Sequence, residues 1–293
     1  MPESSTRRHL LSVLTAASAA ALAACAGVPG APREAPEPPP VPRKETVLAV
    51  TDAGELIRFN AGTPQRIDSR VPLRGLPAGQ TLVGMDFRVA RGVLYGLTSG
   101  GVLVTIDTAS GQLKPVGTAA VALQGQRFGV DFNPAADRVR VVSDSGQNLR
   151  LHPDTGALAA TDPPLAWAPG DVGAAQPPRV AAAGYTYNLR DDKRTTNYAL
   201  DLATGALLTQ GSHEDAVPPV SPNTGLLRTV GMLGTGALDD AAMDISDTDN
   251  TALAALRRHG RTRLYRLDLA TGHAALLGTV GDGRALWGMA IQP

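Results

Sequence analysis

Three aspartates occupy the same position of a repeated phrase, and carboxylates in register are the clearest chemical signal in this sequence. The phrase is a small residue, an apolar residue, Asp and another apolar residue, in Gly84-Met85-Asp86-Phe87, Gly129-Val130-Asp131-Phe132 and Ala242-Met243-Asp244-Ile245. If each copy forms the innermost strand of one unit in a ring, Asp86, Asp131 and Asp244 lie at one height around the axis.

Three carboxylates at one height repel one another, so a cation, an arginine or a set of backbone donors must compensate them. Oxygen-only ligands favour Ca²⁺ or Mg²⁺ over zinc, and Ca²⁺ is the cofactor expected for a metal site here. The alternative is that each Asp accepts hydrogen bonds from a turn of its own unit or pairs with an arginine such as Arg88 or Arg138.

Arginines alternate with apolar residues on two adjacent segments, which places their side chains on one face of a sheet. They are Arg138, Arg140 and Arg150, and Asn133 lies just before the first of them. Forked hydrogen bonds from such a face suit an anionic ligand, for example a carboxylate or a sulfated glycan. The alternative is a buried network with neighbouring aspartates that locks adjacent units together; these are Asp131, Asp137 and Asp144.

No local catalytic motif supports an enzyme. The sequence has no Gly-x-Ser-x-Gly elbow, no phosphate-binding loop and no His-Glu-x-x-His helix. His213, beside Glu214 and Asp215, is the one histidine whose surroundings suit a general base. We therefore assign no catalytic residue and favour a protein that is not an enzyme.

Composition excludes some partners. The 293 residues contain 27 Lys and Arg against 27 Asp and Glu, with two Trp, five Tyr and four Phe. A chain with no net charge and so few aromatic side chains has neither the electrostatic field that attracts nucleic acid nor the aromatic surfaces on which bases stack. With one cysteine, it has no internal disulfide framework, so its stability must come from a packed core.

The N-terminal region predicts export and lipid anchoring. Arg7 and Arg8 precede a short Ala-rich apolar stretch, and Leu22-Ala23-Ala24-Cys25 resembles a lipobox. We predict a twin-arginine-like signal peptide at 1–24, a lipidated Cys25 with a Pro-rich tether to 45, and a folded domain at 46–293. The expected location is the bacterial envelope, in the outer membrane facing the periplasm, with membrane contact only through the lipid.

The folded region predicts an all-β fold, because short alternating segments are separated by Gly, Asn and Asp and no helical period persists. A hairpin with a Thr/Ser-Gly turn recurs, ending at Gly111, Gly156, Gly205 and Gly272. The inner-strand phrase has two further copies, Ala183-Gly184-Tyr185-Thr186 and Gly288-Met289-Ala290-Ile291.

These repeats predict a β-propeller of five blades, closed by a C-terminal strand that pairs into the N-terminal blade. A six- or seven-bladed ring and a two-sheet sandwich are the competing architectures. The segment 211–235 is ambiguous, since it fits either the outer strand of blade four or part of an extra blade.

A longer motif carries a resemblance to a known family. Phe128–Ser143 reads FGVDFNPAADRVRVVS, and GQNLR follows at Gly146–Arg150. This resembles the bacterial domain-of-unknown-function family 4394, and further matches extend the resemblance over roughly 80–293. The resemblance implies a secreted or surface protein with a propeller-like fold and no assigned reaction.

Two functions remain open from the sequence. The first is a lipid-anchored envelope propeller that binds a protein or a small polar ligand. The second is a metal-dependent hydrolase, similar to lactonase propellers, with Ca²⁺ held by the axial carboxylates. A hydrolase requires a deep axial pocket with convergent polar side chains, whereas a binding module is compatible with a filled axis.

Overall fold

The structure is a computed structural model that describes residues 35–293, and Glu37–Pro293 form one compact unit. The predicted signal peptide and Cys25 lie outside the described residues. Among residues 35–293, no helix has the length and hydrophobicity needed to cross a bilayer.

Five antiparallel sheets form the unit, and each is one blade with its innermost strand first. Blade one contains β21 (Leu286–Ile291), β1 (Thr46–Thr51), β2 (Glu55–Asn60) and β3 (Ile67–Pro72). Blade two contains β4 (Leu82–Arg88), β5 (Val93–Thr98), β6 (Leu103–Ile106) and β7 (Leu113–Pro115). Blade three contains β8 (Phe128–Asn133), β9 (Arg138–Ser143), β10 (Asn148–Leu151) and β11 (Leu158–Thr161).

Blade four contains β13 (Val180–Tyr185), β14 (Asn197–Asp201), β15 (Ala206–Gln210) and β16 (Leu226–Met232), with β12 (Ala166–Trp167) added in parallel at its outer edge. Blade five contains β17 (Asp240–Ile245), β18 (Ala252–Arg258), β19 (Arg261–Leu267) and β20 (Ala274–Thr279). The five-bladed, all-β prediction is therefore confirmed.

The ring closes where the two ends of the domain pair. Strand β21 lies antiparallel to β1, with Ala290 opposite Leu48, and Ala290 packs in the same apolar cluster as Leu56. Closure gives the N-terminal blade its inner strand, so neither β1 nor β21 presents an unpaired edge at the seam. The predicted closure is confirmed.

Blade four departs from the repeat. Its Thr-Gly hairpin joins the second and third strands, β14 and β15, whereas the copies ending at Gly111, Gly156 and Gly272 join third and fourth strands. The fourth strand, β16, follows a loop and a short 3-10 helix at Pro222–Thr224. The segment 211–235 thus supplies the outer strand of blade four and not an extra blade.

The inner-strand phrase of blade four also begins one residue earlier than the sequence suggested. Ala182 lies opposite Leu200 after a bulge, just as Gly84 lies opposite Leu97 in blade two. Gly184 therefore occupies the position that Asp holds in three other blades.

Apolar clusters lie between each pair of neighbouring blades, and the inner strands approach one another closely at their small residues. A Cβ added at Gly129 would come within 2.6 Å of the Ala183 nitrogen, and one at Gly84 within 2.4 Å of Val130. The cavity at this level of the axis has a volume of only about 10 Å³. The axis is therefore filled by packed backbone and small side chains at the glycine level.

Between Glu37 and the first strand, the chain lies against the propeller. The Thr279 amide donates to a Glu37 carboxylate oxygen at 2.8 Å, and the Asn60 side-chain amide donates to the Arg43 carbonyl at 2.9 Å. This part of the predicted tether therefore contacts the folded domain.

Candidate functional site

Asp86, Asp131 and Asp244 meet at the axis, one residue beyond the constricted level. One carboxylate oxygen from each lies within 4.8 Å of the others, and all three side chains are buried. The repeat phrase places them there because each lies two residues after a small residue at which the inner strands approach one another closely. We call these three residues the axial carboxylate cluster.

Backbone amides from adjacent blades supply the hydrogen bonds to the cluster. Asp86 accepts from its own neighbour, the Phe87 amide, and from the Phe132 amide of the next blade, both at 2.7 Å. Asp131 accepts from the Tyr185 amide, again in the next blade, at 3.1 Å. These bonds join blade two to blade three and blade three to blade four.

Asp244 repeats the pattern between blades five and one. It accepts from the Ile245 amide at 2.6 Å and from the Ile291 amide of blade one at 2.5 Å. The amide after the Asp position therefore binds a carboxylate in all five blades, including the two where Gly184 and Ala290 replace Asp. Three carboxylates thus satisfy five buried donors, which an apolar axis would leave unpaired.

Burial makes the cluster difficult to ionise. Desolvation raises the pKa of Asp86 well above its ordinary value, and the charge of Asp244 adds to the shift. Desolvation and the charges of Asp86 and Asp244 raise the pKa of Asp131 in the same way. Burial raises the pKa of Asp244 to about 7, although two backbone amides oppose it. The cluster therefore takes up a proton or a cation more readily than exposed aspartates do.

The donor set of the cluster, three carboxylates with no nitrogen or sulfur ligand, fits Ca²⁺ or Mg²⁺ in chemical type. Ca²⁺ takes six to eight oxygen ligands, however, and amides already occupy at least one oxygen of each carboxylate. The expected compensation by Arg88 or Arg138 does not occur, because both arginines bind elsewhere. Among residues 35–293, the hydrogen bonds to these three carboxylates come from backbone amides.

Arg140 lies at the seam between blades three and four and is 1% exposed. Its guanidinium donates to Asp162 and to the Asn148 side chain, each at 2.7 Å. It also donates to the Tyr185 hydroxyl at 3.1 Å and to the Asn223 side chain at 2.6 Å. Four of the five N–H donors of the guanidinium are used within the protein, and they go to both blades, so Arg140 joins the two.

Arg150 shares the same carboxylate. It donates two hydrogen bonds of 2.8 Å to the two oxygens of Asp162. Burial opposes ionisation of Asp162, but the hydrogen bonds from Arg150 and Arg140 hold its pKa below the ordinary value. The predicted locking network exists, but its acid is Asp162 and not Asp131, Asp137 or Asp144.

The remaining predicted ligand residues lie in a surface turn. Arg138 donates to the Asp137 carbonyl at 2.8 Å, and Asn133 accepts from the Ala135 and Ala136 amides at 2.9 and 3.0 Å. Asn133 lies opposite Arg138 and Arg140 opposite Arg150 in the sheet, but these hydrogen bonds of Asn133 and Arg138 are to their own turn, whereas Arg140 and Arg150 both bind Asp162. Separately, Arg88 of blade two forms a forked pair with Asp137 of blade three.

A larger cavity opens where the inner strands begin, on the other side of the constricted level from the carboxylates. It has a volume of about 390 Å³. Its walls include Leu123, Arg127, Phe128, Asp240 and Trp287. We call it the mouth pocket. Its residues come from loops and from the starts of inner strands in different blades and share no motif, so the sequence does not predict it.

The charged wall of the mouth pocket is a pair from blades three and five. Arg127 Nε lies 2.9 Å from Asp240, without the alignment of a hydrogen bond. Burial raises the pKa of Asp240 to about 6, opposed chiefly by the charge of Arg127. One Asp240 oxygen also accepts from the Ala241 amide at 2.9 Å.

His213 lines a separate cavity of about 530 Å³ between blades four and five. Its Nδ1 accepts from the Asp215 amide at 3.2 Å, and the side chain is exposed. The adjacent Glu214 accepts from Asn188 at 2.7 Å and from the Thr186 hydroxyl at 3.1 Å. Glu214 therefore holds its own loop against the segment that follows β13.

Trp167 is a packing residue of blade four. Its indole nitrogen donates to the Gln176 carbonyl at 2.7 Å.

The fold is a closed five-bladed propeller, and the inner strands of its five blades have the same arrangement at the axis. The chain belongs to the family described as Domain of unknown function (DUF4394), which it matches over residues 55–290. No functionally curated protein matches the sequence.

Solved structures with similar folds share little sequence with this chain. A structural-genomics protein of unknown function from Bacteroides thetaiotaomicron is 14% identical, with a TM-score of 0.49, over 78% of this chain and 56% of that one. The Dos1 propeller is 14% identical with a TM-score of 0.39 over the same shares. Hydrazine synthase of Kuenenia stuttgartiensis is 14% identical with a TM-score of 0.41, over 70% of this chain and 53% of that one.

Proposed function

We propose that this protein is a lipid-anchored propeller of the bacterial envelope that binds a protein or a small polar ligand and catalyses no reaction. The observation that carries the proposal is the arrangement along the axis. The carboxylates that a hydrolase would use are buried and hydrogen-bonded to backbone amides, and the constricted level separates them from the mouth pocket. A substrate in the mouth pocket would therefore lie on the opposite side of the constricted level from the carboxylates.

The competing function is a Ca²⁺-dependent hydrolase with its metal at the axial carboxylate cluster. The experiment is metal analysis of the purified full chain, followed by thermal melts at pH 8 with added Ca²⁺ and with chelator. Lactone and ester hydrolysis is measured in both states. We expect no hydrolysis and equal melting temperatures. Hydrolysis that chelator abolishes and Ca²⁺ restores would overturn the proposal.

The anchoring part of the proposal rests on Leu22–Cys25 and is tested in cells. Growth with a labelled fatty acid should label the chain and place it in the outer-membrane fraction. Cys25→Ser is the matched variant, because it keeps the size of the side chain and removes the acylated sulfur. Equal labelling of the two chains, or recovery of the unaltered chain in the cytoplasm, would contradict anchoring at Cys25.

A further inference from the structure

The mouth pocket combines an apolar wall with the guanidinium group of Arg127, which keeps hydrogen-bond donors available. Leu123, Phe128 and Trp287 are half-buried there, so each presents carbon surface to the cavity. Trp287 also lines a second cavity, of about 190 Å³, so its indole has open space on two sides. Cavities of roughly 300–1,000 Å³ that combine apolar walls with a few polar groups are typical sites for small organic molecules, and the mouth pocket has both kinds of wall.

The polar side of the pocket favours an acceptor over a donor. The Asp240 oxygens already face the Ala241 amide and Arg127. Arg127 is different, because its side chain is 39% exposed and its Nη1 donates to the Gln126 carbonyl at 3.2 Å. Within residues 35–293, its Nη2 amino group has no hydrogen-bond acceptor. A guanidinium with free N–H groups recognises carboxylate and sulfonate oxygens by charge-assisted bonds.

We propose that the mouth pocket binds a small organic anion, whose carboxylate or sulfonate contacts Arg127 and whose apolar rings lie against Trp287 and Phe128. This inference rests on the proposed binding function and names its site and ligand class. It assigns opposite roles to two arginines. Arg140 has its donors consumed by the fold, while Arg127 holds donors for a ligand.

The test uses two fluorescent probes that share a naphthalene and a phenyl ring and differ in charge. They are 8-anilino-1-naphthalenesulfonate, which carries the anion, and N-phenyl-1-naphthylamine, which lacks it. The full chain carries Cys25→Ser, so it stays unacylated and needs no detergent. We expect saturable binding of one sulfonate probe per chain, and weaker binding of the neutral probe.

Arg127→Gln should weaken binding of the sulfonate probe about tenfold or more and leave the neutral probe unchanged, since it removes only a charge-assisted contact. Trp287→Ala should weaken both probes. Arg66→Gln is the matched control, because Arg66 is an exposed arginine outside the pocket. Circular dichroism of each variant establishes that it is folded.

A second measurement needs no variant of the pocket. Benzoate should displace the sulfonate probe at concentrations at least about tenfold lower than benzamide, its neutral analogue. Equal displacement by the two, absence of saturable sulfonate binding, or an unchanged affinity in Arg127→Gln would each overturn the inference. None of these outcomes contradicts the proposed binding role, because the result that contradicts that role is metal-dependent hydrolysis.

Discussion

The two polar regions of the axis use charge in opposite ways. In the axial carboxylate cluster, three buried acids accept hydrogen bonds from five backbone amides, so their oxygens hold blades together. In the mouth pocket, Arg127 is part-exposed and faces a cavity of about 390 Å³. A polar side chain near the axis is therefore a ligand-binding candidate only where the fold leaves its hydrogen-bonding groups free.

The same contrast separates Arg140 from Arg127. Arg140 bonds four partners across the seam between blades three and four, whereas Arg127 contacts one carboxylate and one carbonyl at an open surface. Sequence alone presents both as arginines beside an inner-strand phrase. The contrast predicts that one substitution costs stability and the other costs binding.

The largest effect is expected for Arg140→Ala. The substitution leaves Asp162 and Asn148 buried with a lost partner, and breaking a buried ion pair typically costs about 3–5 kcal/mol. Urea unfolding followed by circular dichroism measures the loss. Arg138→Ala is the control, because its hydrogen bonds go to surface carbonyls, and it should change stability by less than about 1 kcal/mol. Equal losses would show that Arg140 does not lock the seam.

Asp244→Ala tests the carboxylate cluster directly. It removes the acceptor of the Ile245 and Ile291 amides, and each unsatisfied buried donor costs about 1–3 kcal/mol. Asp131→Ala, which removes the acceptor of one amide, should cost about half as much. Both are measured by urea unfolding against the exposed Asp192→Ala. A cost for Asp131→Ala that exceeds that of Asp244→Ala would contradict the amide account.

Asp131→Asn, by contrast, should stabilise the protein above pH 7. It keeps an oxygen for the Tyr185 amide and removes an acid whose ionisation is opposed by burial and by the charges of Asp86 and Asp244, so we expect a gain in stability. Urea midpoints at pH 8 with chelator present measure it. A Ca²⁺-bound cluster would reverse the sign when Ca²⁺ is added, because the variant would lose a ligand.

The pH dependence of stability follows from the raised pKa values. The folded protein holds protons on these acids more tightly than the unfolded chain, so their contribution is full below pH 3.8 and is lost as pH rises through about 7 for Asp244. Asp240, with a pKa of about 6, adds a loss of the same sign. Urea midpoints should therefore fall between pH 5 and pH 8, and the fall should be shallower in Asp131→Asn. A flat profile would contradict the burial account.

The smallest stability effect is expected for Arg127→Gln. Asp240 is buried, but Arg127 is 39% exposed and its contact with Asp240 lacks the alignment of a hydrogen bond, so solvent screening should limit the cost to about 0–1 kcal/mol. Urea unfolding at pH 7 should place the variant within that range of the unaltered chain. A loss comparable with that of Arg140→Ala would mean that Arg127 is structural, and the contrast between the two regions would fail.

The fold was largely predictable because its signals are local and repeated. Short strands recur in all five blades, and the turns at Gly111, Gly156 and Gly272 recur in three of them. The unmatched phrase at Gly288–Ile291 predicted the closing strand. Blade four was less predictable. Its inner strand contains the run Ala181–Gly184, in which every residue is small, so the sequence does not show at which residue the phrase begins.

Side-chain partners were less predictable than strands. The convergence of Asp86, Asp131 and Asp244 followed from the repeat, but their bonds to amides of the next blade did not. The acid that binds Arg140 and Arg150 is Asp162, at the end of β11, which no repeated motif marks. Partners across a blade seam depend on how two sheets twist against each other.

By itself, the sequence determined the all-β repeat, the number of blades, the closing strand and the common height of three aspartates, because each depends on spacing along the chain. Only the tertiary structure decided which charged side chains use their hydrogen-bonding groups within the fold and which keep them available for a ligand. Asp86 and Arg140 lie where neighbouring blades meet and find partners there, while Arg127 lies where the inner strands begin and the blades diverge. Hydrogen-bonding capacity left over after packing is a property of the assembled ring.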